Sequence, residues 1–429
     1  MNKDYRIKKK ERIRYENRLK KLERFQEVYT FDKVFTLQHF FEVYPKCVKG
    51  VHWKASVQKY IINSCLKLYS DYVSIKNRKL PQPVSDKEIV IYERGKPRII
   101  TPIHIRDRVI QKVLCDYALV PILSKSLIFD NGASLKDKGV LFSRNRMLHH
   151  LKSAIKEYGF DFYVLSFDFK NFFNSIPHKT CRMMLERYIC DKEIIDLTMD
   201  IIKSPYRIKI NKIKDKEEKQ RQLALLDNDG LCGICLGSQV SQIMALVIAN
   251  DIDHYIKDVK RCKYYTRYMD DGNVLLKTKE ELQDLLCEIR TIADNLGLHF
   301  NVRKTHITKI RKGFTYLKVR YFVTNTGKIV KVLARSGTIR MRRKLNKFKK
   351  KIQDGLMTID NVFDSMQSWL SHSTVANSYK TTKSMLKLYN KKYNGYKITN
   401  KWKYIKGGNN DGLLQTDKWS KYRWGRVPQ

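Results

Sequence analysis

Apolar runs near the middle of the chain predict a buried β-sheet. The segment Tyr163–Asp168 is rich in β-formers and almost wholly apolar, as expected of a central strand covered on both faces, and it ends on a carboxylate. About 100 residues later, two tyrosines precede the tetrapeptide Tyr268–Asp271, and an apolar run follows it. We predict a β-hairpin with Asp270 and Asp271 at its turn, because neighbouring side chains on a regular strand point to opposite faces.

Other periodic patterns predict helices and a second hairpin. Apolar residues recur at helical spacing in Glu280–Leu296, and we expect the following glycine to end that helix. Two more helical patterns occupy Arg335–Lys351 and Ile359–Tyr393. The segment Ile89–Ile100 predicts a hairpin with a Gly-Lys-Pro turn, whereas the mixed segment Arg207–Gln222 predicts an exposed hairpin or a solvated surface loop.

The two acidic sites indicate metal chemistry. A buried, unpaired Asp168 is energetically costly, so we expect it to meet a metal or a cation. A polymerase needs acids so arranged to hold two divalent ions about 3.5 to 4 Å apart, one at an attacking hydroxyl and the other at the leaving pyrophosphate. The alternative is a solvated Asp-Asp-Gly turn, since Asp-Gly is a common hairpin signal. The second acid, at the end of a buried strand, favours the metal site.

Composition indicates a polyanionic partner. The chain has 429 residues and a formal net charge of +43, which suits nucleic acid but does not by itself separate an enzyme from a passive binder. Some of its 25 tyrosines are available for stacking on bases, although we expect most to be structural. Nine cysteines without a disulfide-type spacing predict a reduced, cytoplasmic protein. We find no signal peptide and no apolar run long enough to span a membrane, so no membrane partner is expected.

The residues around both acidic sites resemble the palm motifs of bacterial reverse transcriptases. The phrase Phe169–His178, which follows Asp168, is similar to the first palm motif, and Tyr268–Asp271 is similar to the Tyr-x-Asp-Asp box. The chain resembles the enzymes related to group II intron, retron and diversity-generating types, and most of all unclassified, defence-associated members. The resemblance implies an α+β right-hand polymerase with fingers, a palm of antiparallel sheet and packed helices, and a helical thumb.

The same resemblance implies a catalytic centre. Metal ligands are expected at Asp168, Phe169, Asp270 and Asp271, and the three aspartates are the expected catalytic acids. The implied cofactor is a pair of Mg²⁺ ions, for which Mn²⁺ can substitute. Phe173 is the implied steric gate that rejects a 2′ hydroxyl, while Phe172 is expected in the core.

Three further segments resemble family motifs that bind the incoming nucleotide or assist its reaction. The loop Gly233–Gln242 is similar to the second palm motif and implies nucleotide contacts at Leu236, Gly237 and Gln239, although leucine stands at 236 where group II and retron enzymes have glutamine. The hairpin Ile89–Ile100 is similar to the fingers hairpin, where Arg98 and secondarily Lys96 are expected on the triphosphate; solvated strand charge is the alternative. In Leu298–Thr305, similar to the fourth palm motif, Lys304 is the candidate general acid for pyrophosphate.

Nucleic acid is expected to meet two regions. Tyr268 and Met269 of the Tyr-x-Asp-Asp box are candidates beside the acids. In the helix Arg335–Lys351, one face is apolar, and the opposite face is free to track a phosphate backbone. The residues of that cationic face are Arg342, Arg343, Lys347 and Lys350. The segment Phe314–Phe322 resembles the primer-grip hairpin, with Lys318 where relatives usually carry glycine.

We expect five regions along the chain. They are a basic helical N-terminal extension (1–86), fingers (87–159), palm (160–330), helical thumb (331–394) and a C-terminal tail (395–429). The extension begins with a charge-dense amphipathic helix, Lys3–Arg24, and the tail contains Trp402, Trp419 and Trp424, which are typical of a docking peptide.

The leading functional hypothesis is an RNA-directed DNA polymerase that uses two-metal nucleotidyl transfer. Expected partners are an RNA template, in particular a dedicated noncoding RNA, the DNA product, deoxynucleoside triphosphates, and a protein partner or a second copy of the chain. No RNase H, HNH or maturase zinc pattern follows the thumb, which disfavours a mobile intron protein. Long extensions favour antiphage defence, with restricted or untemplated synthesis left open. The alternatives are a diversity-generating or retron-type enzyme and, in another class, a non-catalytic RNA-binding protein on a polymerase fold.

Overall fold

The chain is described here from a computed structural model that covers residues 28–79, 88–93, 96–399 and 404–406, with the single positions 16 and 20. It divides into two compact units. The first comprises Met1–Glu157 with Phe162–Ile307, and the second comprises Tyr158–Asp161 with Thr308–Gln429. The predicted helix Lys3–Arg24, apart from two positions, and the three tail tryptophans lie outside the described residues.

Helices form the N-terminal part of the first unit, and the first six of them contribute buried residues to its apolar core. Their bounds are α1 (Phe31–Val34), α2 (Leu37–Val48), α3 (Ala55–Ile62), α4 (Ser64–Lys76), α5 (Ile105–Leu114), α6 (Val120–Leu123) and α7 (Val140–Tyr158), with a π-helical turn (Cys115–Leu119) between α5 and α6. The side chain of Thr36 caps α2 by accepting a hydrogen bond from the His39 amide, and Phe40, Val43 and Cys47 on one face of that helix are buried.

A hairpin interrupts these helices, and its turn differs from the predicted one. Strand β1 (Ile89–Glu93) pairs antiparallel with β2 (Lys96–Ile100), and Glu93 lies directly opposite Lys96. Lys96 and Pro97 therefore belong to the strand, and the predicted Gly-Lys-Pro turn is wrong. Cross-strand register sets the position of the turn, and a Gly-Pro signal alone does not report that register. Residues 94 and 95 between the strands lie outside the described residues.

A four-stranded sheet includes three strands of the first unit and a fourth strand, His306–Lys309, that begins in that unit. Its strands are β3 (Tyr163–Asp168), β4 (Tyr265–Tyr268), β5 (Asp271–Leu276) and β6 (His306–Lys309), in the spatial order β4-β5-β3-β6. Strand β3 lies inside the sheet and is almost entirely buried, which confirms the prediction of a central strand. The predicted hairpin of β4 and β5 is also confirmed, with Met269 and Asp270 between the strands.

Helices cover this sheet and connect its strands. Their bounds are α8 (Phe172–Ser175), α9 (His178–Tyr188), α10 (Lys192–Asn211), α11 (Lys216–Asp227), α12 (Gln239–Ile248), α13 (Asn250–His254) and α14 (Lys279–Asn295). Helix α14 begins with a capping box of Thr278 and Glu281, and the predicted helix is confirmed. The predicted exposed hairpin or loop at Arg207–Gln222 is wrong, because α10 and α11 span most of it and the Asp215 side chain caps α11.

A buried acid stabilises the segment that precedes α7. Asp130 is 5% exposed, and its carboxylate lies 2.6 Å from Arg146 Nε, 2.9 Å from Lys257 Nζ and 3.3 Å from His150 Nε2. Burial by itself raises the pKa of Asp130, but the hydrogen bonds and positive charges of these neighbours bring that pKa well below its ordinary value. Asp130 is therefore held ionised inside the fold.

The second unit combines a small sheet with a helical bundle. Strands β7 (Phe314–Tyr316), β8 (Val319–Val323) and β9 (Ile329–Leu333) form one antiparallel sheet, and α15 (Arg335–Gln353), α16 (Ile359–Ser373) and α17 (Tyr379–Lys392) share an apolar core. Strands β10 (Tyr396–Ile398) and β11 (Tyr404–Lys406) form a final hairpin. No helix among the described residues of either unit is long and apolar enough to cross a membrane.

Candidate active site

The sheet brings three carboxylates together at one end of its two inner strands, which we call the sheet edge. Asp168 is the last residue of β3 and Asp271 is the first residue of β5, and the two are direct partners across the antiparallel ladder. Asp270 precedes Asp271 in the two-residue turn of the β4–β5 hairpin. The turn lets neighbouring aspartates serve one locus, as predicted, because they do not both lie on a regular strand.

Burial and mutual repulsion disfavour the ionised form of two of these acids. Burial, reinforced by the negative charges of Asp270 and Asp168, raises the pKa of Asp271 to about 7. Burial and the charge of Asp168 also raise the pKa of Asp270. The charge of Lys304 opposes both shifts, and its ammonium donates hydrogen bonds of 2.8 and 2.7 Å to the two oxygens of Asp168. The site thus has an excess of negative charge that favours cations.

The donor chemistry fits divalent metal ions. Carboxylate oxygens are the ligands that Mg²⁺ and Mn²⁺ prefer, and added positive charge would relieve the repulsion among the three aspartates. Among the described residues, no three His, Cys, Asp or Glu side chains are already arranged as a coordinating group. Phe169, predicted as a further ligand, has a buried ring stacked on Phe300 at 5.0 Å between centroids, so only its main chain is suited to contact an ion.

Phe173 lies on a short helix tied to the second palm segment. Phe172 is buried in the core, as predicted, while Phe173 is half-buried at the start of α8. The amide of Ile234 donates a 2.8 Å hydrogen bond to the carbonyl of Phe173, and the amide of Gly233 donates one of 2.7 Å to the carbonyl of Ile176. The side chain of His178 adds a 2.8 Å contact with the Gly233 carbonyl. We call this set of contacts the 173–234 ladder.

The three residues predicted to bind the nucleotide lie in the loop before α12 and at the first position of that helix. Gly237 has φ +113°, a conformation that favours glycine, and a Cβ there would make a tight contact of 3.1 Å with the Thr101 carbonyl. Leu236 beside it is half-buried. The Gln239 side chain lies 3.5 Å from Asp116 of the π-helical turn, which gives this residue a structural partner.

Of the two predicted triphosphate residues, the structure describes the side chain of one. Arg98 is exposed on β2, and its Nε lies 3.1 Å from Glu93 Oε2 across the hairpin. Its positive charge partly opposes the raised pKa of Asp270, so the guanidinium is within electrostatic range of the acids. The side chain of Lys96 lies outside the described part of the chain.

The predicted nucleic-acid residues fall in both units. Tyr268 and Met269 are half-buried beside the acids in the first unit. In the second unit, Met341 and Leu345 on one face of α15 are buried, while the predicted cationic residues on the other face are exposed. These exposed residues are Arg342, Arg343, Lys347 and Lys350. The predicted amphipathic helix is confirmed, and its binding role stays a prediction.

A buried ion pair next to the acids was not predicted from the sequence. Arg267, two residues before Met269, is 0% exposed and pairs with Asp253 of α13. The available signal was a single arginine within a strand of tyrosines and threonine. If that strand is buried, the arginine requires an acidic partner, because an unpaired buried guanidinium is energetically costly. Its partner could not be identified from spacing, since Asp253 lies on a different element.

The α+β fold, with carboxylates at one end of the central strands of its sheet, is the fold of the right-hand polymerases. The family "Reverse transcriptase (RNA-dependent DNA polymerase)" matches residues 81–321, more than half of the chain. The chain belongs to this reverse transcriptase family. No curated protein matches it significantly in sequence.

Solved structures of telomerases are similar to the chain at low identity. A C-terminally truncated apo telomerase from Candida tropicalis is 15% identical, with a TM-score of 0.40 over 62% of this chain and 60% of that one. Telomerase from Candida albicans in complex with a TWJ fragment of telomeric RNA is 13% identical, with a TM-score of 0.39 over 77% and 65%. The chain thus spans less than two thirds of the length of either telomerase chain.

Proposed function

We propose that this protein is an RNA-directed DNA polymerase that extends a 3′ hydroxyl with deoxynucleoside triphosphates. The single observation that supports this most is the pairing of Asp168 with Asp271 at the sheet edge, with Asp270 in the adjoining turn, in a chain of the reverse transcriptase family. A non-catalytic RNA-binding protein has no need for three repelling carboxylates at one buried edge, since each costs free energy there.

The proposed roles divide between the acids and the residues around them. Asp168, Asp270 and Asp271, with the main chain of Phe169, would hold two Mg²⁺ ions. When bound, these ions stabilise charge on the attacking and leaving oxygens. Lys304 neutralises Asp168 and provides a proton for the leaving pyrophosphate, which is consistent with an ammonium already at the carboxylate.

Substrate selection is assigned to residues near this edge. The half-buried ring of Phe173 would exclude a 2′ hydroxyl, and Arg98 would bind the triphosphate through its guanidinium. Leu236 and Gly237 would lie against the nucleotide, and the side chain of Gln239 would act by supporting that loop from Asp116.

Nucleic acid would be bound mainly through its backbone. The exposed cationic face of α15, together with the chain's net charge of +43, supports binding to duplex phosphates with affinity that falls steeply in salt. Tyr268 and Met269 would contact the growing end. We assign residues 87–159 to fingers, 160–330 to palm and 331–394 to thumb.

We further propose that the template is a dedicated noncoding RNA and that the biological role is antiphage defence in the cytoplasm. The form of the second palm loop, with leucine at 236 and the pattern Leu-Gly-x-x-x-Ser-Gln, supports this reading over a group II intron or retron enzyme. A neighbouring target gene with variable repeats would instead support diversity generation.

The test begins with protein purified together with its bound RNA. Mg²⁺ and labelled deoxynucleotides are added, and the products are sequenced. We expect DNA complementary to one bound RNA, and repetitive DNA would indicate restricted or untemplated synthesis. Asp270→Asn with Asp271→Asn should abolish synthesis and leave RNA affinity nearly intact. The matched control, Asp284→Asn with Asp364→Asn, removes the same charge from two exposed positions and should retain synthesis. Synthesis by the first variant would refute the metal assignment.

A further inference from the structure

We propose that Arg267 is a positioning residue that fixes the turn containing Asp270 by holding the main chain of Met269. The inference rests on the proposed function, because it assigns this turn to metal binding. Arg267 itself touches neither the expected ions nor the substrate; it acts through the carbonyl of Met269, to which its Nη1 donates a 2.8 Å hydrogen bond.

The guanidinium is anchored on both of its other nitrogens. Nε lies 2.8 and 3.0 Å from the two oxygens of Asp253, and Nη2 lies 2.6 Å from Asp253 Oδ2 and 2.7 Å from the Leu246 carbonyl. The hydroxyl of Tyr265 donates a further 2.6 Å hydrogen bond to Asp253. Because both charged side chains are 0% exposed, water does not compete with these contacts. The planar guanidinium can make all of these contacts in only one orientation, and that orientation sets the position of the Met269 carbonyl.

The turn itself has a conformation that needs such support. Tyr268 and Asp271 are paired, so Met269 and Asp270 are the two central residues of a two-residue hairpin loop. Met269 has φ +55°, at the first central position, where glycine is the usual residue of such turns. A methionine there is strained, and strained backbone persists only where neighbouring groups hold it.

The anchor also connects the turn to the loop assigned to the nucleotide. Leu246 lies in the last turn of α12, and this helix begins at Gln239, two residues after Gly237. The main chain of Arg267 is held as well, since its amide donates to Asp130 and its carbonyl accepts from Gly132. One buried side chain therefore fixes the carboxylate turn relative to the helix that carries the nucleotide loop.

The competing interpretation is a buried ion pair that only stabilises the core. The two differ in what they predict for metal affinity, which we would measure with Mn²⁺ alone by electron paramagnetic resonance. The variant Arg267→Met with Asp253→Asn removes the anchor without leaving an unpaired charge. We expect its Mn²⁺ dissociation constant to rise about tenfold, and kcat for single-nucleotide addition to fall while KM for the nucleotide stays within about twofold.

A rescue substitution separates positioning from stability. Met269→Gly removes the strain, because glycine adopts positive φ freely. Added to the Arg267→Met and Asp253→Asn variant, it should restore most of the Mn²⁺ affinity without restoring thermal stability. The control Tyr265→Phe removes one hydrogen bond to Asp253 but keeps the hydrogen bond from the Arg267 guanidinium to the Met269 carbonyl. Thermal stability should therefore fall while Mn²⁺ affinity is unchanged. If the Arg267→Met and Asp253→Asn variant does not fold, Arg267→Lys serves instead. A single ammonium cannot make the contacts that the three guanidinium nitrogens make with Asp253, Leu246 and Met269.

The outcomes separate this inference from the proposed function. Unchanged Mn²⁺ affinity in folded variants, or weakened affinity that Met269→Gly does not restore, would overturn the role of Arg267 and leave the polymerase proposal standing. Wild-type protein that binds Mn²⁺ but makes no DNA would overturn the proposed function, while the variant series would still test the anchor. Wild-type protein that binds no Mn²⁺ would overturn both.

Discussion

The substitution Gly272→Ala tests whether the carboxylate edge depends on close packing within the sheet. Gly272 follows Asp271 on β5 and lies opposite Phe167 of β3. A Cβ at this position would lie 2.1 Å from Phe167 Cζ and 2.4 and 2.7 Å from its two Cε atoms. Carbon atoms in contact need about 3.5 to 4.0 Å, so the ring or the strand has to shift by roughly 1.5 Å.

The ring of Phe167 has little freedom to make that shift. It is 0% exposed, and the rings of Phe300, Phe169 and Tyr265 surround it at centroid distances of 5.2, 6.0 and 6.3 Å. Overpacking a core usually costs about 1 to 3 kcal/mol, and we expect a loss near the upper end, about 3 kcal/mol. A displacement of about 1 Å at Asp271 should also reduce the rate of synthesis roughly 100-fold.

Urea unfolding and single-nucleotide addition measure the two effects. The matched control is Gly337→Ala on α15, where an added Cβ meets no atom within 4 Å. That variant should gain about 0.5 to 1 kcal/mol in stability, because alanine favours the helix. The double variant Gly272→Ala with Phe167→Leu should lose less than the sum of its single changes, because a smaller side chain admits the new methyl group.

Two results would refute this reasoning. Near-neutral stability of Gly272→Ala would mean that the sheet accommodates the methyl group without strain. Strictly additive losses in the double variant would mean that Phe167 and residue 272 do not compete for the same space.

Three further predictions concern sugar selection, nucleic-acid binding and acid stability. Phe173→Ala should lower the preference for deoxynucleotides by about tenfold or more in competition assays, because a steric contact is lost; an unchanged preference would remove it as the gate. Arg342→Gln with Arg343→Gln should reduce the salt slope of RNA affinity by about two, measured by titration at several salt concentrations, and an unchanged slope would exclude this face. Asp130→Asn should cost about 3 to 5 kcal/mol at neutral pH. Because the folded pKa of Asp130 is lowered, its contribution is present above the unfolded value of about 3.9 and is lost as pH falls further, so urea unfolding of the two proteins should converge in acid. A difference in unfolding free energy between the two proteins that stays constant as the pH falls would contradict this contribution of Asp130.

Elements with strong local signals were predictable from the sequence. The buried run of β3, the Asp-Asp turn between β4 and β5, and the amphipathic helices α14 and α15 each follow from a periodicity or a turn signal within one segment. The candidate site followed as well, because its carboxylates lie at the ends of such segments.

Features that depend on pairing between segments were not predictable. The register of Glu93 opposite Lys96 places Lys96 and Pro97 on the second strand of the first hairpin instead of in its turn, and no local signal reports that register. Lys318 adopts φ +71° and Leu317 φ +46°, a turn that residue preferences alone argue against. The partnership of Arg267 with Asp253 likewise required the fold, since the two residues lie 14 positions apart on two different elements.

The 173–234 ladder has a consequence for how this protein can diversify. Apart from the imidazole of His178, the ladder contacts named above use main-chain atoms, and the half-buried side chain of Leu236 takes no part in them, so it can change without breaking the contacts that hold Phe173. On the proposed function, Leu236, which would contact the nucleotide, and Phe173, which would exclude a 2′ hydroxyl, can therefore change independently of each other. Mutational drift in the loop can alter which nucleotide is accepted while the product remains DNA.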